Sequence, residues 1–94
     1  MKLIEDATKL LDDCQRMEKL IYDTTSFYSS SNNSVVIQEQ IEQVPAILNK
    51  CREMQYKLFQ ESLCMKTTFS SDLRFMMMRL EAAVMYAKKR AKLD

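Results

Sequence analysis

The segment Thr67-Thr68-Phe69-Ser70-Ser71-Asp72 decides how this chain folds. It gathers β-branched and cap-forming residues that weaken a helix interior, and Ser70, Ser71 or Asp72 can each serve as an N-cap. An apolar stripe nevertheless runs through it. Phe69, Leu73, Met76, Leu80, Ala83 and Ala87 follow Met65 almost in phase, and neither Gly nor Pro marks a turn. Read as phase, the segment lies inside one long, bent helix from 35 to about 92, roughly 85 Å long at 1.5 Å per residue. Read as a break, it opens a third helix over about 70–92 that folds back. Phase continuity favours the long helix, with a three-helix bundle as the alternative.

Upstream, residues 35–66 carry Ile37, Ile41, Val44, Leu48, Cys51, Leu58 and Met65 on one stripe, flanked by Ile47 and Met54. Gln55 and Ser62 interrupt its apolar character. Pro45 removes a backbone donor and crowds the preceding turn. The stripe keeps its phase across it, which predicts a kink rather than two helices. Further upstream, Ser29-Ser30-Ser31-Asn32-Asn33-Ser34 breaks the periodicity outright, with Asn33 or Ser34 as N-cap of the second helix. Residues 2–28 then form a helix of their own. Leu3, Ala7, Leu10, Cys14, Met17, Ile21, Thr24 and Tyr28 alternate spacings of four and three, a heptad seam. Glu5–Lys9 and Asp12–Arg16 are i,i+4 ion pairs on the opposite face.

Two long helices joined by a short polar loop imply an antiparallel hairpin. The expected fold is therefore a single all-α domain over 1–94. It is a coiled-coil-like helical hairpin, completed as a helical bundle by self-association or by a partner chain. Its core comprises Leu3, Leu10, Cys14, Met17, Ile21, Ile41, Val44, Leu48, Cys51 and Leu58. A turn centred near 31–32 makes opposed residue numbers sum to about 63, which sets Cys14 against the turn holding Leu48 and Cys51. Both thiols read as small apolar core groups, with a redox clip as the sharper alternative.

Composition narrows the chemistry. The 94 residues include no Gly, no His and no Trp. Without His there is no imidazole base or ligand; without Gly there is no phosphate loop and no nucleophile elbow. Three cysteines with no CxxC argue against a disulfide framework and a Cys-only metal cluster. No constellation reads as catalytic, and no cofactor, metal or small-molecule substrate is expected. The N-terminus turns acidic too early for a signal peptide, and no apolar run reaches transmembrane length. The expected location is intracellular, in the cytoplasm, with the nucleus as an alternative.

Net charge is +1, yet residues 67–94 hold six bases against three acids. Lys88, Lys89, Arg90 and Lys92 read first as cations complementing a helix C-terminus. A nuclear-import signal or an anion-binding patch is the sharper reading. Residues 73–87, with the run Met76-Met77-Met78, are apolar nearly all round, as in a helix covered on several sides. Leu73, Met76, Met77, Leu80, Val84 and Met85 are accordingly the candidate contact residues for another chain. The expected function is that of a non-enzymatic interaction or scaffold subunit of an intracellular multi-subunit assembly. Its partner is a second copy or a heterologous helical subunit. A nucleic-acid-binding protein using the basic C-terminal segment and an amphipathic helix on a membrane surface are the alternatives. The near-neutral chain disfavours nucleic acid, and the acidic first helix disfavours a membrane.

Overall fold

A computed structural model describes residues 2–27, 34–62 and 68–91 of the chain. It contains three helices, α1 (Lys2–Phe27), α2 (Ser34–Gln60) and α3 (Phe69–Ala91). All three pack against one another, giving an all-α bundle 47 × 20 × 17 Å in extent.

Cross-helix contacts fix the directions. Gln40 Nε2 donates to Thr24 Oγ1 at 2.9 Å, and the Cys14 and Cys51 sulfurs meet at 3.4 Å, so α1 and α2 are antiparallel. These pairs sum to 64 and 65, close to the register expected of the hairpin. Gln55 Nε2 donates to the Ser70 carbonyl at 3.1 Å, which sets α3 antiparallel to α2. Arg79 grips Glu18, and Tyr22 packs on Tyr86, so α1 and α3 run in the same direction. The topology is up-down-up.

The continuous helix over 35–92 is thereby corrected in favour of the three-helix alternative. α2 stops at Gln60; the Glu61 amide still reaches the Lys57 carbonyl at 3.1 Å. Ser62 then adopts φ 58°, and its amide bonds back to the Phe59 carbonyl at 3.0 Å. A left-handed residue is the usual helix stop, and a non-Gly residue pays about 1–2 kcal/mol for it. The compensation comes from α3. Leu73, Met76, Leu80, Ala83 and Ala87 are buried against the hairpin, and burying one large aliphatic side chain contributes about 1.5–3 kcal/mol. Periodicity records which face of a helix is apolar. It does not record whether the chain has turned round before the next helix begins.

The start of α3 differs as well. Thr68, immediately before the helix, hydroxyl-bonds the Asp72 carboxylate at 2.9 Å, and the Asp72 amide bonds the Thr68 carbonyl at 2.8 Å. Thr68 therefore takes the place expected for Ser70, Ser71 or Asp72, and Asp72 supplies the acid of the first turn. In α2 the helix runs through Pro45, which lies exposed, so the stripe keeps its phase across a residue that cannot donate to the Ile41 carbonyl. Asn33, Tyr28, Cys64, Met65, Lys92 and the rest of the Ser/Asn segment before Ser34 lie outside the described residues.

Of the expected hairpin core, Leu10, Cys14, Ile21, Ile41, Val44, Leu48, Cys51 and Leu58 are buried. Leu3 and Met17 are partly buried against it. Ala7, Ile37, Ile47 and Met54 complete the hairpin's share. On the outer side of α1, Arg16 and Asp12 pair at 3.0 Å, whereas Glu5 and Lys9 form no ion pair.

Candidate interaction surface

The six residues expected to meet another chain divide between two environments. Leu73, Met76 and Leu80 are buried in this chain's own core, which removes them from any partner surface. The reason is the fold-back: α1 and α2 occupy the face that a long helix would have left open. Met77 and Val84 are partly buried and pack against the same core. Met85 alone of the six is largely exposed, at 71%.

Helix α3 carries two apolar seams rather than one. The inner seam is Leu73, Met76, Leu80, Ala83 and Ala87, spaced three, four, three and four. The outer seam is Phe75, Met78, Ala82 and Met85, spaced three, four and three. At 100° per residue the two seams lie on opposite sides of the helix. Phe75 is 69% exposed and Met78 is 62% exposed, and Ala82 is exposed between them. Phe75, Met78 and Ala82 were absent from the expected contact set. Resolving the all-round apolar character of 73–87 into its two heptad phases would have found them from sequence.

Beside this outer seam, α2 and α3 enclose a groove of about 320 Å³. Ile41, Val44, Pro45 and Leu48 form one wall, and Val84 and Met85 form the other. Glu81 and Lys88 are its charged edges. Met85 belongs to both the groove and the outer seam. Tyr56 and Phe59, further along α2, are also largely exposed.

The basic end of α3 is split between settings. Lys88 is half-buried at the groove, while Lys89 and Arg90 are exposed. All three lie in the last turn, where cations complement the helix dipole.

The contacts that hold α3 in place are polar as well as apolar. Arg79 Nη2 and Nε donate to the two Glu18 carboxylate oxygens at 2.7 and 2.9 Å. The Glu18 side chain is only 12% exposed, so its charge depends on this bidentate partner. One turn onward in α1 and two in α3, the Tyr22 and Tyr86 rings lie 5.3 Å apart at 47°. Together these contacts fix the rotation of α3 and hence which seam faces outward.

Across α1 and α2 the thiols of Cys14 and Cys51 are fully buried and unbonded covalently. The hydrogen bond to Cys51, and then burial, push the Cys14 thiol above its ordinary value. The same contact lowers the Cys51 thiol, and the pair packs as two small groups sealed in the core. Among the described residues no three His, Cys, Asp or Glu side chains gather as a metal site, and no helix is long and apolar enough to cross a membrane.

The geometry defines the class: an up-down-up three-helix bundle with one helix apolar on both faces. Comparison with protein-family models, curated proteins and solved structures gives no match.

Proposed function

We propose that this chain is a non-enzymatic interaction subunit of an intracellular multi-subunit assembly, docking through the outer side of α3 and the adjoining groove. The observation that carries the reading is the outer seam of Phe75, Met78, Ala82 and Met85. Three large apolar side chains stand in heptad spacing with more than half their surface in water. The fold does not need them there, since the inner seam already holds α3 on the hairpin. Contiguous exposed apolar surface on a small domain marks a contact site, and methionine adapts to irregular partners.

The test compares the parent chain with a Met78→Ser/Met85→Ser variant, both affinity-tagged and expressed in cells. Both side chains are exposed, so melting should stay within about 0.5 kcal/mol of the parent for each change. The variant is expected to lose the associated proteins that the parent retains. Unchanged association in a variant that melts like the parent would place the contact elsewhere. Light scattering over a hundredfold dilution adds the homotypic arm: a mass above 11.1 kDa that the variant abolishes identifies self-association through this surface.

A further inference from the structure

We propose that Cys14 and Cys51 form a redox-sensitive clip, a disulfide that joins α1 to α2 when hydrogen peroxide oxidises the pair. The two sulfurs already meet at 3.4 Å across the helix pair, and both side chains are fully buried. Packing by itself does not call for sulfur here. Where the core takes a small residue elsewhere, it uses Ala7, Ala83 and Ala87. Two facing thiols in contact need only a small side-chain movement to bond. The product is uncharged and apolar, so it suits the site that the thiols fill now.

The surroundings assign a role to each sulfur. The hydrogen bond between them holds the proton on Cys14 and lowers the Cys51 thiol against the effect of burial, and Arg52 adds to the lowering. Cys51 is therefore the attacking thiolate and Cys14 the resolving thiol. Beside this layer α1 and α2 leave an open groove of about 220 Å³, lined in part by Leu10, Asp13, Lys50 and Met54. Peroxide is uncharged and little larger than water, so a local opening of the helix pair admits it from that groove. The Cys51 thiolate attacks one peroxide oxygen; an S–O bond forms, the O–O bond breaks, and the departing hydroxide takes up a proton to leave as water. The Cys14 sulfur then attacks the Cys51 sulfur. An S–S bond forms, the S–O bond breaks, and the Cys14 proton leaves with that hydroxyl as a second water. Two thiols are oxidised and one peroxide is reduced to two waters. The bond closes a loop across 37 positions and restrains the unfolded chain. It also anchors α1 one turn before Glu18, the residue that grips Arg79 of α3. A thiol reductant reopens it.

The experiment treats the full chain with hydrogen peroxide, both as the parent and as Cys64→Ser, in which Cys14 and Cys51 are the remaining cysteines. Intact mass is expected to fall by two hydrogens, and proteolytic mapping to recover a peptide linking Cys14 to Cys51. The melting temperature should rise by about 10 °C or more and return to its starting value with dithiothreitol. In the Cys64→Ser background, Cys14→Ala should leave a sulfenic acid on Cys51 that dimedone traps, whereas Cys51→Ala should leave Cys14 reduced. Mass, mapping and melting of the parent need neither variant, so a variant that fails to fold leaves the test intact. Thiols that both still alkylate in denaturant after peroxide treatment would overturn the proposal. So would sulfinic acid at either position in place of the bond, a disulfide that joins two copies, or a linked chain that melts below the reduced one.

Discussion

Helices α1 and α3 lie side by side, point the same way and are of similar length, yet they distribute apolar residues differently. In α1 the apolar positions Ala7, Leu10, Cys14 and Ile21 are buried, and Glu5, Lys9, Asp12, Arg16, Lys19 and Asp23 face water. In α3 the inward seam is just as apolar, but Phe75, Met78, Ala82 and Met85 occupy the side where α1 is charged. Amphipathicity is what burial of one helix face requires. α1 carries that pattern with two isolated exposed residues, Leu20 and Tyr22, whereas α3 carries it plus a second apolar seam in heptad spacing. The second pattern is the physical basis for assigning function to α3.

The comparison breaks most readily at Leu80, which is fully buried on the inner seam. Leu80→Ala should cost about 2–5 kcal/mol, the range for deleting a core leucine. Chemical denaturation followed by circular dichroism measures it. A loss below about 1 kcal/mol would mean that the inner seam is not what holds α3.

Arg79→Leu tests the polar half of the attachment. It strands the nearly buried Glu18 carboxylate, but Arg79 is itself 52% exposed, so solvent takes up part of the loss. The expected cost is about 1–2 kcal/mol, and Glu18→Leu/Arg79→Leu should recover part of it, because the double change leaves no uncompensated charge. Additive losses in that cycle would show that the two side chains do not couple.

Alkaline pH sharpens the contrast on the α1 side. Cys14 holds its proton in the fold, while the unfolded thiol loses its proton near pH 8.5. Below that pH both states are protonated and the group contributes its full stability. As pH rises above it, only the unfolded chain releases the proton, so stability falls by up to about 1.4 kcal/mol per pH unit. The same hydrogen bond lowers the Cys51 thiol and offsets part of that loss, so both thiols must be removed: denaturation curves between about pH 9 and about pH 11 should show a shallower decline in Cys14→Ala/Cys51→Ala than in the parent. Equal slopes would mean that the folded thiol titrates as freely as the unfolded one.

The smallest effect belongs to the outer seam. Met78→Ser and Met85→Ser should each change stability by less than about 0.5 kcal/mol, the usual result at exposed positions. A larger loss would make the outer seam part of the fold, and α3 would no longer differ in kind from α1.

Much of this was legible along the chain. The heptad seam from Leu3 to Thr24 and the stripe from Ile37 to Leu58 give the antiparallel hairpin, and its register brought Cys14 to Cys51. The segment 67–72 was harder, because Phe69 and Leu73 hold the phase of the preceding helix while the chain reverses. The contact set was legible only in part for the same reason. With α3 pictured as an extension of α2, Leu73, Met76 and Leu80 looked as available as Met85. Once α3 folds back, the first three become core and Phe75, Met78 and Ala82 become surface.

What the sequence by itself determined is local and periodic. It set which residues form helices, which face of each is apolar, and where a polar loop separates the first two. These follow from propensity and from a 3.6-residue repeat that any window of the chain displays. Tertiary structure alone decided the turn at Ser62, the parallel pairing of α1 with α3, and which seam of α3 meets water. Those outcomes depend on Glu18 meeting Arg79 and Tyr22 meeting Tyr86 across more than sixty residues. A short-range pattern carries no record of such a pairing, because its energy exists only once the chain has closed on itself.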